Sequence, residues 1–179
     1  MNAGTAPNYF DIFGLPVDFS IDEQLLAAHY RELQKTVHPD RFANASERDR
    51  RMAVQQAADI NEAFHTLKSP LQRARYLLQI KGVTFDDEKE TTVEPAFLME
   101  QMELREALAE ISASDNAFTK LNTIMQDIAS RITRMLDEYN ECVKMGDLAQ
   151  AKAIVQKLQF LEKLKIESEI LEEELANAI

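Results

Sequence analysis

The sequence predicts an all-α protein made of two helical units. Three observations point there. Only 4 Gly and 5 Pro interrupt 179 residues rich in Ala, Leu, Glu and Gln. Apolar side chains recur at helical steps through most of the chain, and no segment shows the alternation of a strand.

The first sustained run covers residues 20–37. Ser20 and Glu23 have capping-box spacing, and Leu26, Tyr30, Leu33 and Val37 follow at helical steps, so one face is apolar. His38-Pro39-Asp40 ends the run, because Pro39 fixes its own φ near about −65° and biases His38 away from helix. A second run, residues 46–67, opens on Ser46 as N-cap with Asp49 at the third helical position. Its stripe is Val54, Ala57, Ile60, Phe64 and Leu67. The two stripes are expected to pack as an antiparallel hairpin, with residues 38–40 held outward at the tip. Ser69 then caps a short helix that Pro70 opens over 71–80, and Gly82 ends it.

Residues 81–94 are rich in acids and Thr, carry no helical stripe and read as a linker between domains 1–80 and 95–179. Three long helical patterns follow, over 95–111, 115–144 and 147–176. Gly146-Asp147 reads as a stop followed by an N-cap, with Gln150 completing the cap, so the last two helices fold back on each other in a three-helix bundle. Leu121, Ile124, Ile128, Ile132, Met135, Tyr139 and Val143 form the middle helix's core stripe, facing Ile154, Leu158 and Leu161.

The net charge of −11 is uneven: nine basic and ten acidic residues lie up to Arg75, eleven and twenty-one beyond it. That field disfavours nucleic-acid phosphates and anionic lipid. No run reaches the roughly 20 apolar residues of a membrane span, and residues 1–7 are too short and uncharged for a targeting segment. A bacterial cytoplasm is the simplest compartment. Lone Cys142, near Tyr139 and Val143, is expected to pack as a small apolar side chain. An enzyme finds no support: His29, His38 and His65 are scattered, no Gly-rich phosphate loop exists, and no ligands stand at metal spacing. No cofactor is expected.

The first bundle helix has more apolar surface than its docking needs. Phe97, Leu104, Leu108 and Ile111 share one face at 3.6 residues per turn. Met99 and Met102 lie opposite, with Leu98 on the shoulder, among Glu103, Glu106 and Glu110. An apolar patch rimmed by carboxylates fits a protein partner; the alternative is a helix buried on two sides.

At several places the chain resembles a J-domain, the module that stimulates DnaK-type ATPases. Tyr9-Phe10-Asp11-Ile12-Phe13-Gly14-Leu15 is similar to the first J helix and His38-Pro39-Asp40-Arg41-Phe42 to the signature loop. Ala63-Phe64-His65-Thr66-Leu67-Lys68-Ser69-Pro70 with Gln72-Arg73-Ala74 is similar to the third-helix end and the start of the fourth. Val37 stands where many J-domains carry an aromatic residue. Ala96-Phe97-Leu98-Met99-Glu100-Gln101-Met102-Glu103-Leu104-Arg105-Glu106 and Lys157-Leu158-Gln159-Phe160-Leu161-Glu162-Lys163-Leu164 narrow the resemblance to the iron–sulfur cluster co-chaperone family HscB. Met102 stands where Leu is also expected, and the N-terminal cysteine pairs of some eukaryotic relatives are missing.

That resemblance implies an adaptor without a reaction of its own. Its J-domain would engage the ATPase HscA, Asp40 pairing with an Arg of the ATPase, His38 completing the surface and Pro39 holding the turn. Arg31, Lys35 and Arg41, with His29 as a further possibility, would present positive charge to that partner; the alternative is an ordinary solvated helix face. The bundle would hold the cluster scaffold IscU through Leu98, Met99, Met102, Glu103, Glu106, Glu110 and Phe160. A general J-protein delivering unfolded polypeptides is the rival reading, because its N-terminal half would look the same.

Overall fold

The structure is a computed structural model that describes residues 7–42, 45–86, 94–111 and 116–177. Among these there are only helices: α1 (Tyr9–Ile12), α2 (Glu23–Thr36), α3 (Glu47–Lys68), α4 (Pro70–Ile80), α5 (Pro95–Ile111), α6 (Ala117–Met145) and α7 (Leu148–Asn177), with a 3-10 turn over Pro39–Phe42. The chain divides into two compact units, Met1–Ile80 and Lys81–Ile179. Residues 87–93 of the expected linker lie outside the described residues.

In the first unit α1 is shorter than the seven-residue match at 9–15 suggests. Asn8 and Asp11 close a capping box around one turn, and the chain then bends at Gly14, whose φ of 60° is the left-handed region that favours glycine. Helix α2 starts at Glu23, so the expected Ser20 cap is wrong. Asp22 Oδ1 accepts the amides of Gln24 and Leu25 at 2.9 and 3.0 Å, and its charge suits a helix N-terminus better than a hydroxyl. Ser46 caps α3 as expected, accepting the Asp49 amide at 3.2 Å. The α3 stripe is displaced by one residue at its start: Ala53 is buried and Val54 is 67% exposed. Ala53, Ile60, Ala63 and Leu67 pack with Phe10, Phe13, Leu15, Leu26 and Val37 as one core.

Arg73 ties this unit together from inside. Its Nη1 donates to the Leu67 carbonyl at 2.6 Å, stands 3.5 Å from Glu23 Oε1, and the guanidinium lies 5.2 Å from the Phe19 ring centre. One buried cation thus joins the end of α3, the start of α2 and the connection before it; burial lowers its pKa.

In the second unit α6 and α7 form the long antiparallel pair expected from Gly146-Asp147. Gly146 has φ 79°, its amide and that of Asp147 donate to the Val143 and Cys142 carbonyls, and Asp147 Oδ1 accepts the Gln150 amide at 3.0 Å. Leu108 and Ile111 of α5 close the bundle against Leu121, Ile128 and Leu164. Tyr139 and Cys142 are buried, and burial raises both pKa values. Among the described residues no helix is long and apolar enough to cross a membrane.

Candidate functional site

The tip of the α2–α3 hairpin is held from below by Val37, which is buried and receives no continuation of the helix because Pro39 follows. The chain tightens into the 3-10 turn, where the Arg41 amide donates to the His38 carbonyl at 3.0 Å. The Asp40 amide reaches His38 Nδ1 at 3.3 Å, and the Asp40 carboxylate stands 3.5 Å from the same nitrogen. A neutral ring accepts that amide; a protonated one pairs with the carboxylate. The Asp40 side chain is 90% exposed, so nearly all of its oxygen surface is open to a donor on another molecule. This turn therefore places an acid and an imidazole side by side in solvent.

Arg31, Lys35 and Arg41 are exposed. Lys35 Nζ donates to Glu32 Oε1 at 2.7 Å, and this bond holds the Glu32 carboxyl below the usual range. Both partners lie in solvent, where such a pair contributes little and exchanges readily for another carboxylate. His29 is not part of this surface. Its Nδ1 meets the Phe13 carbonyl at 2.6 Å, joining α2 to the end of α1.

The second candidate surface is the outward side of α5. Leu108 and Ile111 are buried and Phe97 and Leu104 half-buried, as the docking face requires, while Met99 and Met102 are each 63% exposed and Leu98 40%. Glu103, Glu106 and Glu110 are exposed beside them. The reading in which both α5 stripes enter the core of this unit is thereby ruled out. Phe160 sits differently from the methionines: it is half-buried, and its ring meets Phe97 edge-on at a 6.1 Å centre distance, with Lys163 Nζ 5.9 Å from its own centre. It belongs to the seam between α5 and α7 and is only partly open to solvent.

Two residues escaped the sequence reading. Gln101 is 95% buried by its 5% exposure, on the docking face, with an Nε2 that finds no hydrogen-bond partner. Its spacing of four from Phe97 and three from Leu104 would have placed it there, but its polarity argued against it. Arg73 stood inside an apolar stretch as an ordinary surface base would. Among the described residues no group of three His, Cys, Asp or Glu side chains could hold a metal ion.

Residues 8–76 match the DnaJ domain family, and residues 93–169 match the family described as the HSCB C-terminal oligomerisation domain. The chain is 46% identical over 173 residues to a co-chaperone protein HscB homolog from Vibrio cholerae, spanning 94% of this chain and 98% of that one. With the homolog from Shewanella woodyi it shares 43% over 171 residues, at the same coverage. Among solved structures, the chaperone HscB from Vibrio cholerae matches with a TM-score of 0.87 at 43% identity, over 94% of this chain and 99% of the other. The human co-chaperone protein HscB has the same fold, with a TM-score of 0.87 at 24% identity over 94% and 84%.

Proposed function

The chain belongs to the HscB family of J-domain co-chaperones, and from that membership we propose that it binds the iron–sulfur scaffold IscU, delivers it to the DnaK-type ATPase HscA and stimulates ATP hydrolysis there. A DnaK-type chaperone is the partner a J-domain serves; HscA and IscU are the finer assignment. The observation that carries it is the presence of two exposed surfaces, one on each unit: the His38–Asp40 turn and the Met99–Met102 face.

On the ATPase side Asp40 accepts a guanidinium of the partner, His38 fills the surface beside it, and Pro39 keeps the turn out of the helix. Arg31, Lys35 and Arg41 steer the encounter, Lys35 exchanging Glu32 for a carboxylate of the partner. On the scaffold side Leu98, Met99 and Met102 supply apolar area, Phe160 adds the part of its ring that the seam leaves uncovered, and Glu103, Glu106 and Glu110 set the acidic rim. Methionine suits such a face because its unbranched chain adapts to the partner's shape. The protein then acts by raising the scaffold's local concentration at the ATPase. The iron–sulfur cluster is cargo on the scaffold, and the cytoplasm of a bacterium is the compartment.

Calorimetry with two ligands tests this. Folded IscU should bind, and a denatured polypeptide should not. The reverse result would favour a general J-protein that delivers unfolded chains, and binding of neither would remove the scaffold assignment.

A further inference from the structure

Helices α5 and α7 run parallel at a nearly constant offset. Lys157 reaches Glu94 at 3.0 Å and Arg105 reaches Glu167 at 3.4 Å, pairs separated by 63 and 62 residues along the chain. With a rise of about 1.5 Å per residue, Ile166 stands at about the level of Glu103, and Ile170 at about that of Ala107.

Stepping by threes outward from the core gives the same sequence on both helices. On α5 it runs Leu108, Arg105, Met102; on α7 it runs Leu164, Glu167, Ile170. The first residue of each is buried, the second forms the Arg105–Glu167 bridge, and the third is exposed: Met102 at 63% and Ile170 at 51%. Each step of three turns roughly 60° around the helix axis. Met102 and Ile170 therefore emerge on the same outward side, one on either bank of the bridge, with Ile166, 53% exposed, one turn before Ile170. Ile170 is also about half a revolution from buried Leu161, so it lies away from the bundle core.

We propose that Ile166 and Ile170 continue the Leu98–Met99–Met102 face across the Arg105–Glu167 bridge, so that the scaffold's apolar surface lies over both α5 and α7. This rests on the scaffold reading above. The bridge is neutral and half-exposed, which lets an apolar partner cover it without leaving an unpaired charge. A second copy of this chain fits less well. Pairing the face with itself would bring the Glu103, Glu106 and Glu110 rim and the exposed Glu172, Glu173 and Glu174 against like charges, in a chain of net charge −11.

The test uses the full chain carrying Ile166→Gln and Ile170→Gln together, and separately Ile170→Gln alone, titrated with folded IscU by calorimetry and compared with Met99→Ala/Met102→Ala. Circular dichroism checks folding, and the single variant decides should the double one lose helicity. The proposal expects the double isoleucine variant to bind at least about tenfold more weakly and the single one about threefold, the methionine variant also binding weakly. Native affinity in the isoleucine variants with weak binding in the methionine variant overturns the extension and leaves the scaffold reading standing. Native affinity in all of them overturns both. Unchanged scaffold affinity with loss of concentration-dependent self-association in sedimentation velocity assigns the isoleucines to a second copy and also overturns the proposal.

Discussion

At the scale of single residues, the Asp40 carboxylate stands 3.5 Å from the His38 ring nitrogen, and neither side chain is buried. Exposed loop side chains of this kind usually shift stability by about half a kcal/mol or less. His38→Gln or Asp40→Asn should therefore leave the melting temperature almost unchanged while abolishing stimulation of the partner ATPase. Steady-state ATPase assays beside thermal melts decide this, and undiminished stimulation by either variant would remove the loop from the contact. Gln101 presents the opposite case. Its Nε2 is buried without a partner, and a buried donor left unpaired costs about 1–3 kcal/mol. Gln101→Leu, similar in volume, should raise the urea midpoint by the equivalent of about 1 kcal/mol at unchanged slope. A lower midpoint would mean that the amide is satisfied in solution.

At the scale of elements, the α6–α7 turn depends on one backbone conformation. Gly146 has φ 79°, and a Cβ built there meets nothing within 4 Å, so the penalty of a side chain is conformational rather than steric against neighbours. Gly146→Ala should destabilise the second unit by about 1 kcal/mol, with no change in ATPase stimulation. Chemical denaturation followed by a probe in that unit checks it. Helix α3 teaches a different lesson. Its periodicity allowed either Ala53 or Val54 to open the stripe, and hydrophobicity favoured the valine. The residue actually covered is Ala53, because the Tyr30–Phe64 stack, 3.9 Å between ring centres, and the Tyr30 bond to Asn61 at 2.9 Å set the rotation of α3 against α2. Packing with a neighbour outweighed the small preference of one side chain.

At the scale of the molecule, each unit closes its own core: Phe10, Leu26, Leu67 and Leu78 in the first, Leu121, Ile128, Leu158 and Leu164 in the second. Binding at one should survive damage at the other. Met99→Ala/Met102→Ala/Phe160→Ala is expected to weaken scaffold binding by about 2 kcal/mol or more while ATPase stimulation without scaffold persists. His38→Gln should bind scaffold normally yet fail to accelerate cluster transfer. Native scaffold affinity in a correctly folded triple variant would take the open α5 face out of recognition.

Helical periodicity, the Ser46 cap, the Pro39 break and the Gly146-Asp147 joint were legible in the sequence because each acts over a few neighbouring residues. Those signals sufficed for an all-α chain with an exposed tip at residues 38–40, and for the opposite placement of Met99 and Met102 on one helix. The tertiary structure decided which side of each helix meets a neighbour. It turned His29 inward to the Phe13 carbonyl, buried Arg73 and Gln101, drew Phe160 into the seam and left Ile166 and Ile170 outside. Periodicity sets the angles between residues along one helix. The rotation of that helix against its partners comes from contacts between residues far apart in the chain, such as the Tyr30–Phe64 and Phe97–Phe160 ring contacts, which no local pattern encodes.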